Sequence, residues 1–234
     1  NPVFEPLVTW GKSITNFLFS GHLKKTSLAK DYKLPISHGG MIEDAAFFVN
    51  TFHKGRDAFG EAYVSEIRKK MQDIGYNISN LNIEETDKGF GLCVEEDGKY
   101  IVSQRDMSQG MFRTLCLLIQ LTYIHLSGQS ICILVDDIGE GLDFSRLSGL
   151  IDILTEVLKD SNIQFFLTTN DRYVMNKISL RYWTVIDRQR SLSIFYNYEN
   201  SKDIFDEFEY TGLSNFDFFT TDFYREGFGK IEAE

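Results

Sequence analysis

Asp136 and Asp137 close a run of aliphatic residues, ICILVDD over 131–137, and Asp143 follows in the short motif GLD. A strand that is apolar on both faces belongs inside a sheet, where an unpaired carboxylate is costly. The acidic pair therefore marks the end of a buried strand, where a metal ion or a proton relay gives carboxylates a use. A plain solvated strand end is the bland alternative. Upstream, MSQGMFR over 107–113 places Ser108 and Gly110 just ahead of an apolar-periodic run. The backbone amides there stand at a helix N-terminus, whose unpaired N–H groups and dipole favour an anion such as a phosphate. Gly110 lets backbone approach such a group closely. Ser108 acting only as an N-cap is the competing reading.

The elements that must position these groups follow from hydrophobic spacing. Met111, Leu115, Leu118, Ile119, Thr122 and Leu126 predict a helix over 110–126, amphipathic with one buried face. Next come the strand at 131–135, a helix over 144–159 and the strand IQFFLTT. Helix, strand, helix, strand is the rhythm of a parallel sheet with crossovers. Residues 43–74 read as two helices divided at Gly55 and Gly60, and 76–103 as an antiparallel patch with TDKG and EDGK as its hairpin turns. Residues 1–40 read as a strand or loop followed by a short helix. YWTVID and LSIFYNY are expected to close the core around an RQR turn. From Glu199 onward ten acidic residues face three basic ones, a balance of −7, with phenylalanines expected to pack on the domain's own core. The chain divides on this reading into a mainly helical segment, 1–75, a core, 76–198, and an acidic aromatic segment, 199–234, packed on that core.

With 234 residues and 43% hydrophobic content the chain can bury a full core. A net charge of −10 argues against broad attraction to nucleic acid, so DNA binding would need a local basic patch. No apolar run long enough to span a membrane and no signal peptide is visible, which predicts a cytoplasmic protein without membrane contact. Cys93, Cys116 and Cys132 sit widely spaced in apolar segments and read as reduced core residues. His22, His38, His53 and His125 lack metal-ligand spacing and read as structural.

Taken in order, MSQGMFR, ICILVDD, GLD and LTTND resemble the C-terminal half of an ABC-type ATPase core, over about residues 60–190. The resemblance is strongest to the RecF-like, chromosome-maintenance branch, which includes bacterial repair and phage-defence ATPases. It implies an α/β core with a mostly parallel sheet and flanking helices, and ATP and Mg²⁺ as cofactors. Ser108, Gln109, Gly110 and Arg113 then belong to the signature motif that meets nucleotide, and Asp136 matches the Walker B aspartate that holds the metal. Asp137 stands where the family has a glutamate that orients the attacking water. Its carboxylate is one methylene shorter, and misplacement by about 1 Å costs on the order of 10²-fold in rate. Asp143 matches the acidic residue of a loop that crosses the dimer interface, and it can also cap the helix that follows. Asn170 takes the place of a histidine; it can donate to a phosphate but carries no proton. The family's sites are shared between protomers, so the resemblance further implies a homodimer or higher oligomer joined by ATP, with a protein effector as a further partner.

A phosphate loop is the missing part. PLVTWGKS over 6–13 offers Gly11, Lys12 and Ser13, but Pro6 replaces the first glycine and lacks an N–H, while Leu7, Val8 and Trp10 crowd the would-be cradle. The expectation is therefore the distal part of a longer ATPase whose phosphate loop lies upstream, with slow hydrolysis. Two further readings stand beside it. One is an ATPase-like interaction scaffold with relaxed chemistry. The other is a two-metal nuclease or phosphohydrolase built on Asp136, Asp137 and Asp143.

Overall fold

A computed structural model describes residues 2–18, 23–31, 40–42, 44–159 and 161–229. The chain forms two compact units, 1–169 and 170–234. In chain order the first unit holds α1 (Glu5–Ser13), β1 (Ile14–Leu18), β2 (Gly40–Ile42), α2 (Ala45–Phe59), α3 (Glu61–Asp73), β3 (Ile78–Thr86), β4 (Gly89–Glu96), β5 (Tyr100–Ser103), α4 (Gln109–Ser127), β6 (Ile131–Asp136), α5 (Phe144–Lys159) and β7 (Ile163–Leu167).

The aliphatic run lies inside a parallel sheet of order β2-β1-β6-β7. β6 pairs with β1 on one side, Leu18 opposite Asp136, and with β7 on the other, Val135 opposite Leu167. Both edges of the strand are thereby satisfied, and Ile131, Cys132, Ile133 and Val135 are buried. β3, β4 and β5 form the expected antiparallel sheet. Its second turn uses Asp97 and Gly98, both with positive φ, as the Asp-Gly pair predicts.

α4 is more deeply placed than its periodicity suggested. Every residue from Gly110 to Thr122 is buried, not one stripe, so α4 is a central helix. Ser108 caps its start and Gly128, in the left-handed region at φ +63°, ends it. α2 and α3 pack against it. The buried Tyr63 hydroxyl donates to the Ile119 carbonyl at 2.8 Å, and burial pushes that phenol's pKa up. Burial likewise raises the thiol pKa values of Cys116 and Cys132; both are free cysteines and chemically quiet.

Three expectations change. Near the N-terminus a helix precedes a strand, the reverse of the order expected. Pro6 sits in the first turn of α1, where its fixed φ and absent N–H cost nothing, and PLVTWGKS is helical, not a phosphate loop. β1 then joins the sheet beside β6. Gly55 does not divide the helices: it lies within α2, where an added Cβ would meet the Tyr63 ring at 2.3 Å. Gly60, at φ +60°, makes the break.

The third change concerns YWTVID and LSIFYNY, which do not close the parallel sheet. They form a hairpin in the second unit, which holds α6 (Arg172–Lys177), β8 (Thr184–Gln189), β9 (Leu192–Asn197), α7 (Lys202–Glu209), α8 (Asn215–Thr220) and α9 (Phe223–Glu226). Among the described residues β8 and β9 pair only with each other, through a two-residue turn at Arg190 and Ser191. The buried side of β8 is covered locally, since Val185 and Leu180 pack with Phe205, Phe208, Phe218 and Tyr224 of the acidic aromatic segment. Asp187, also on that side, receives both Nε and Nη2 of Arg225 at 2.9 Å. The phenylalanines and tyrosine of the segment thus build a core with this hairpin.

Candidate functional site

β6 and β7 run in parallel, so their C-terminal ends come together, and open α/β sheets gather ligands at that edge. Asp136, the last residue of β6, is exposed, and its carboxylate accepts a short hydrogen bond from the Thr168 hydroxyl. The Thr168 N–H donates to the Val135 carbonyl at 2.9 Å, fixing that threonine beside the strand end. Asp137 is half-buried, and its N–H donates to Thr168 Oγ1 at 2.9 Å. Its φ is +52°, a left-handed backbone that an aspartate adopts at a cost. The acidic pair therefore sits on a defined corner, with Thr168 as the hinge post. Sequence reasoning missed Thr168, although LTTND carried it.

The helix tip is built differently. Ser108 Oγ accepts from the Met111 N–H at 3.2 Å, the N-cap geometry, which orients the tip without filling it. The Gln109 side chain donates to the Leu23 carbonyl at 3.3 Å. The Lys25 ammonium donates to the Met107 carbonyl and brings a positive charge to the tip, which nothing in the local motif announced. Gln104, fully buried, fastens the segment carrying Lys25 by donating to the carbonyls of Lys25 and Ser27.

Loop 137–142 joins the two parts. A Cβ on Gly110 would lie 2.2 Å from the Gly141 carbonyl oxygen, so only glycine permits this contact between the tip of α4 and the loop. Arg113 is 2% exposed; its Nη1 donates to the Glu140 carbonyl at 3.1 Å and lies 3.2 Å from the Glu140 carboxylate. Arg113, expected in the motif that meets nucleotide, has its charge paired with the loop beneath the surface. Its partner is Glu140, which no motif singles out.

Asp143 caps α5: its carboxylate accepts the Arg146 N–H at 3.0 Å and pairs with the Arg146 guanidinium at 2.7 Å. The backbone hydrogen bond from Arg146, with the guanidinium charge, holds this carboxyl below its usual range. Asn170 is exposed and is the first residue of the second unit, whereas Asp136, Asp137, Gly110 and Arg113 belong to the first. Among the described residues no three His, Cys, Asp or Glu side chains gather to hold a metal ion. The exposed Asp136 and adjoining Asp137 fit a cation of another habit, one that takes one or two carboxylates and fills its shell with water and phosphate oxygens, as Mg²⁺ does. Among the described residues no helix is long and apolar enough to cross a membrane.

No protein-family model and no curated protein matches the sequence. Among solved structures the chain is similar to a Pyrococcus furiosus Smc head domain with an extended coiled coil, bound to the C-terminal domain of ScpA. The TM-score is 0.50 at 16% identity, covering 70% of this chain and 42% of that one. It is also similar to an Smc head bound to the C-winged helix domain of ScpA, with TM-score 0.51 at 16% identity, covering 69% of this chain and 52% of that one. The chain thus spans about half the length of those heads or less. Likeness at this identity speaks of architecture: the α/β fold, parallel sheet with flanking helices and small antiparallel sheets, is SMC head-like over about 70% of this chain.

Proposed function

We propose that this chain is the signature and Walker B half of an ABC-type, RecF-like ATPase that uses Mg²⁺ and ATP to drive association between protomers or with a partner. The observation that carries the reading is the buried parallel strand β6 ending in Asp136 and Asp137, tied through loop 137–142 to the capped tip of α4. Asp136 would hold the metal, directly or through water. Asp137 would orient the attacking water, and Ser108, Gln109 and Gly110 would present the helix tip to a γ-phosphate. Asp143 would meet a second protomer, and Asn170 would donate to phosphate. Bound Mg²⁺ supplies charge neutralisation at the phosphates. A phosphate loop must come from another segment or subunit, because PLVTWGKS is helical. Since the similar Smc heads are bound to ScpA domains, a protein partner is a natural occupant of this chain's surface too. Roles in DNA repair or phage defence follow from the resemblance alone.

The test is Mg²⁺-dependent ATP turnover by the protein expressed from its complete coding frame. Slow turnover that disappears in Asp137→Asn supports the reading. ATP binding without turnover in the natural protein favours the second reading, an ATPase-like scaffold, which the helical PLVTWGKS makes specific.

A further inference from the structure

Loop 137–142 contains two left-handed residues, Asp137 at φ +52° and Gly141 at φ +82°. Glycine adopts that backbone freely, whereas aspartate adopts it at a cost that its surroundings must offset. Those surroundings number two. On one side Thr168 takes the Asp137 N–H at 2.9 Å on its hydroxyl and the Ile138 N–H at 3.3 Å on its carbonyl. On the other side stands Arg113, whose guanidinium meets both the carbonyl and the carboxylate of Glu140. A Cβ on Gly141 would come within 3.8 Å of Arg113 Nη1, so the loop lies against the guanidinium itself. Arg113 Nε has no hydrogen-bond partner among the described residues. A cation removed from water must be neutralised by what is near it, and Glu140 is what the loop supplies.

We infer that Arg113 is a positioning residue: by neutralising itself on Glu140 it holds loop 137–142 closed on the tip of α4 and keeps Asp137 in its left-handed backbone. It acts through the loop and touches no nucleotide. The part played by Asp137 in water activation rests on the function proposed above, whereas the clamp itself does not.

The experiment separates the two. Amide hydrogen exchange is measured by NMR on the chain as it is, without nucleotide, for wild type, Arg113→Lys and Arg113→Met. Release of the clamp raises exchange at Asp137, Ile138, Glu140 and Leu142 by about tenfold or more in Arg113→Met, while Val94 and Val135 keep their rates. Lysine preserves the charge but not the planar fork, so Arg113→Lys gives a smaller rise at the same amides. Arg113→Lys also remains informative if Arg113→Met fails to fold. In the complete protein Arg113→Lys lowers kcat by about tenfold with KM within about twofold, a split that general destabilisation does not produce. Unchanged loop exchange, or a rise matched at Val94 and Val135, overturns the clamp. Loosened loop amides with unchanged kcat overturn the positioning role. Absence of turnover in the wild type refutes the proposed function instead, and the exchange pattern then judges the clamp alone.

Discussion

Two stretches of this chain set glycine beside serine and a basic residue, and they have opposite fates. Gly11, Lys12 and Ser13 lie on α1, a helix without a single buried residue, and a Cβ on Gly11 would meet nothing within 4 Å. Ser108, Gly110 and Arg113 lie at the start of α4, buried from Gly110 to Thr122, where a Cβ on Gly110 would strike the backbone of Gly141. Motif letters do not separate the two. What separates them is the space each glycine denies to a side chain and the partner each basic group finds.

The contrast can be broken at several points. The largest effect belongs to the core beneath the tip: Leu118→Ala in α4 removes a fully buried side chain and costs about 2–5 kcal/mol, read by chemical denaturation. Leu7→Ala on α1, where Leu7 is exposed, changes stability by less than about 0.5 kcal/mol. Next comes Gly110→Ala, which forces α4 and loop 137–142 apart and costs about 1–3 kcal/mol. Gly11→Ala moves the other way and stabilises by about 0.5–1 kcal/mol, since alanine is the better helix former. Equal responses of the two glycines would erase the distinction. A smaller gain, up to about 1 kcal/mol, is expected of Asp137→Gly, which relieves the left-handed backbone while removing the carboxylate from the site. Loss of stability there would mean that the carboxylate matters more to the fold than the strain does.

The smallest effect sharpens a parallel contrast between two acid–arginine pairs. Hydrogen bonds from Arg225, then from Gln189, hold Asp187 below the usual carboxylate range, much as Arg146 does for Asp143. A carboxyl whose folded pKa is depressed adds stability that is complete above the unfolded pKa, about 4, and lost as pH falls through the folded value. Acidification below about pH 4 therefore loosens α9 from the hairpin, visible in near-ultraviolet circular dichroism from the aromatic cluster. Asp187→Asn flattens that dependence. Asp143→Asn changes it less and loses its effect in high salt, because the Asp143–Arg146 pair lies in solvent.

Local patterns were legible in the sequence; couplings between distant positions were not. β6, α5, the antiparallel sheet and the α4 cap all follow from runs, periods and turn residues within a single window. The parallel sheet follows from the alternation of helix and strand, but its inner strand β1 does not, because ITNFL is short and mixed and is defined by pairing with β6 more than a hundred positions away. The hairpin at 184–197 reads as strands, but the core it closes is not readable locally, since what covers Val185 comes from phenylalanines later in the chain. Asp136 as the end of β6 and Ser108 as the cap of α4 are legible by type and position. Thr168, Lys25 and the Arg113–Glu140 pair are not, because each acts through a partner that folding alone brings near.

The most direct measurement is sedimentation of the protein expressed from its complete coding frame, with ATP, in Mg²⁺ or in EDTA, for wild type and Asp136→Asn. Mg²⁺ and ATP together should shift the wild type to a larger assembly, and EDTA or Asp136→Asn should each abolish the shift. Sedimentation that ignores nucleotide and metal, or an Asp136→Asn protein that assembles as the wild type does, would contradict a magnesium–nucleotide site at the end of β6.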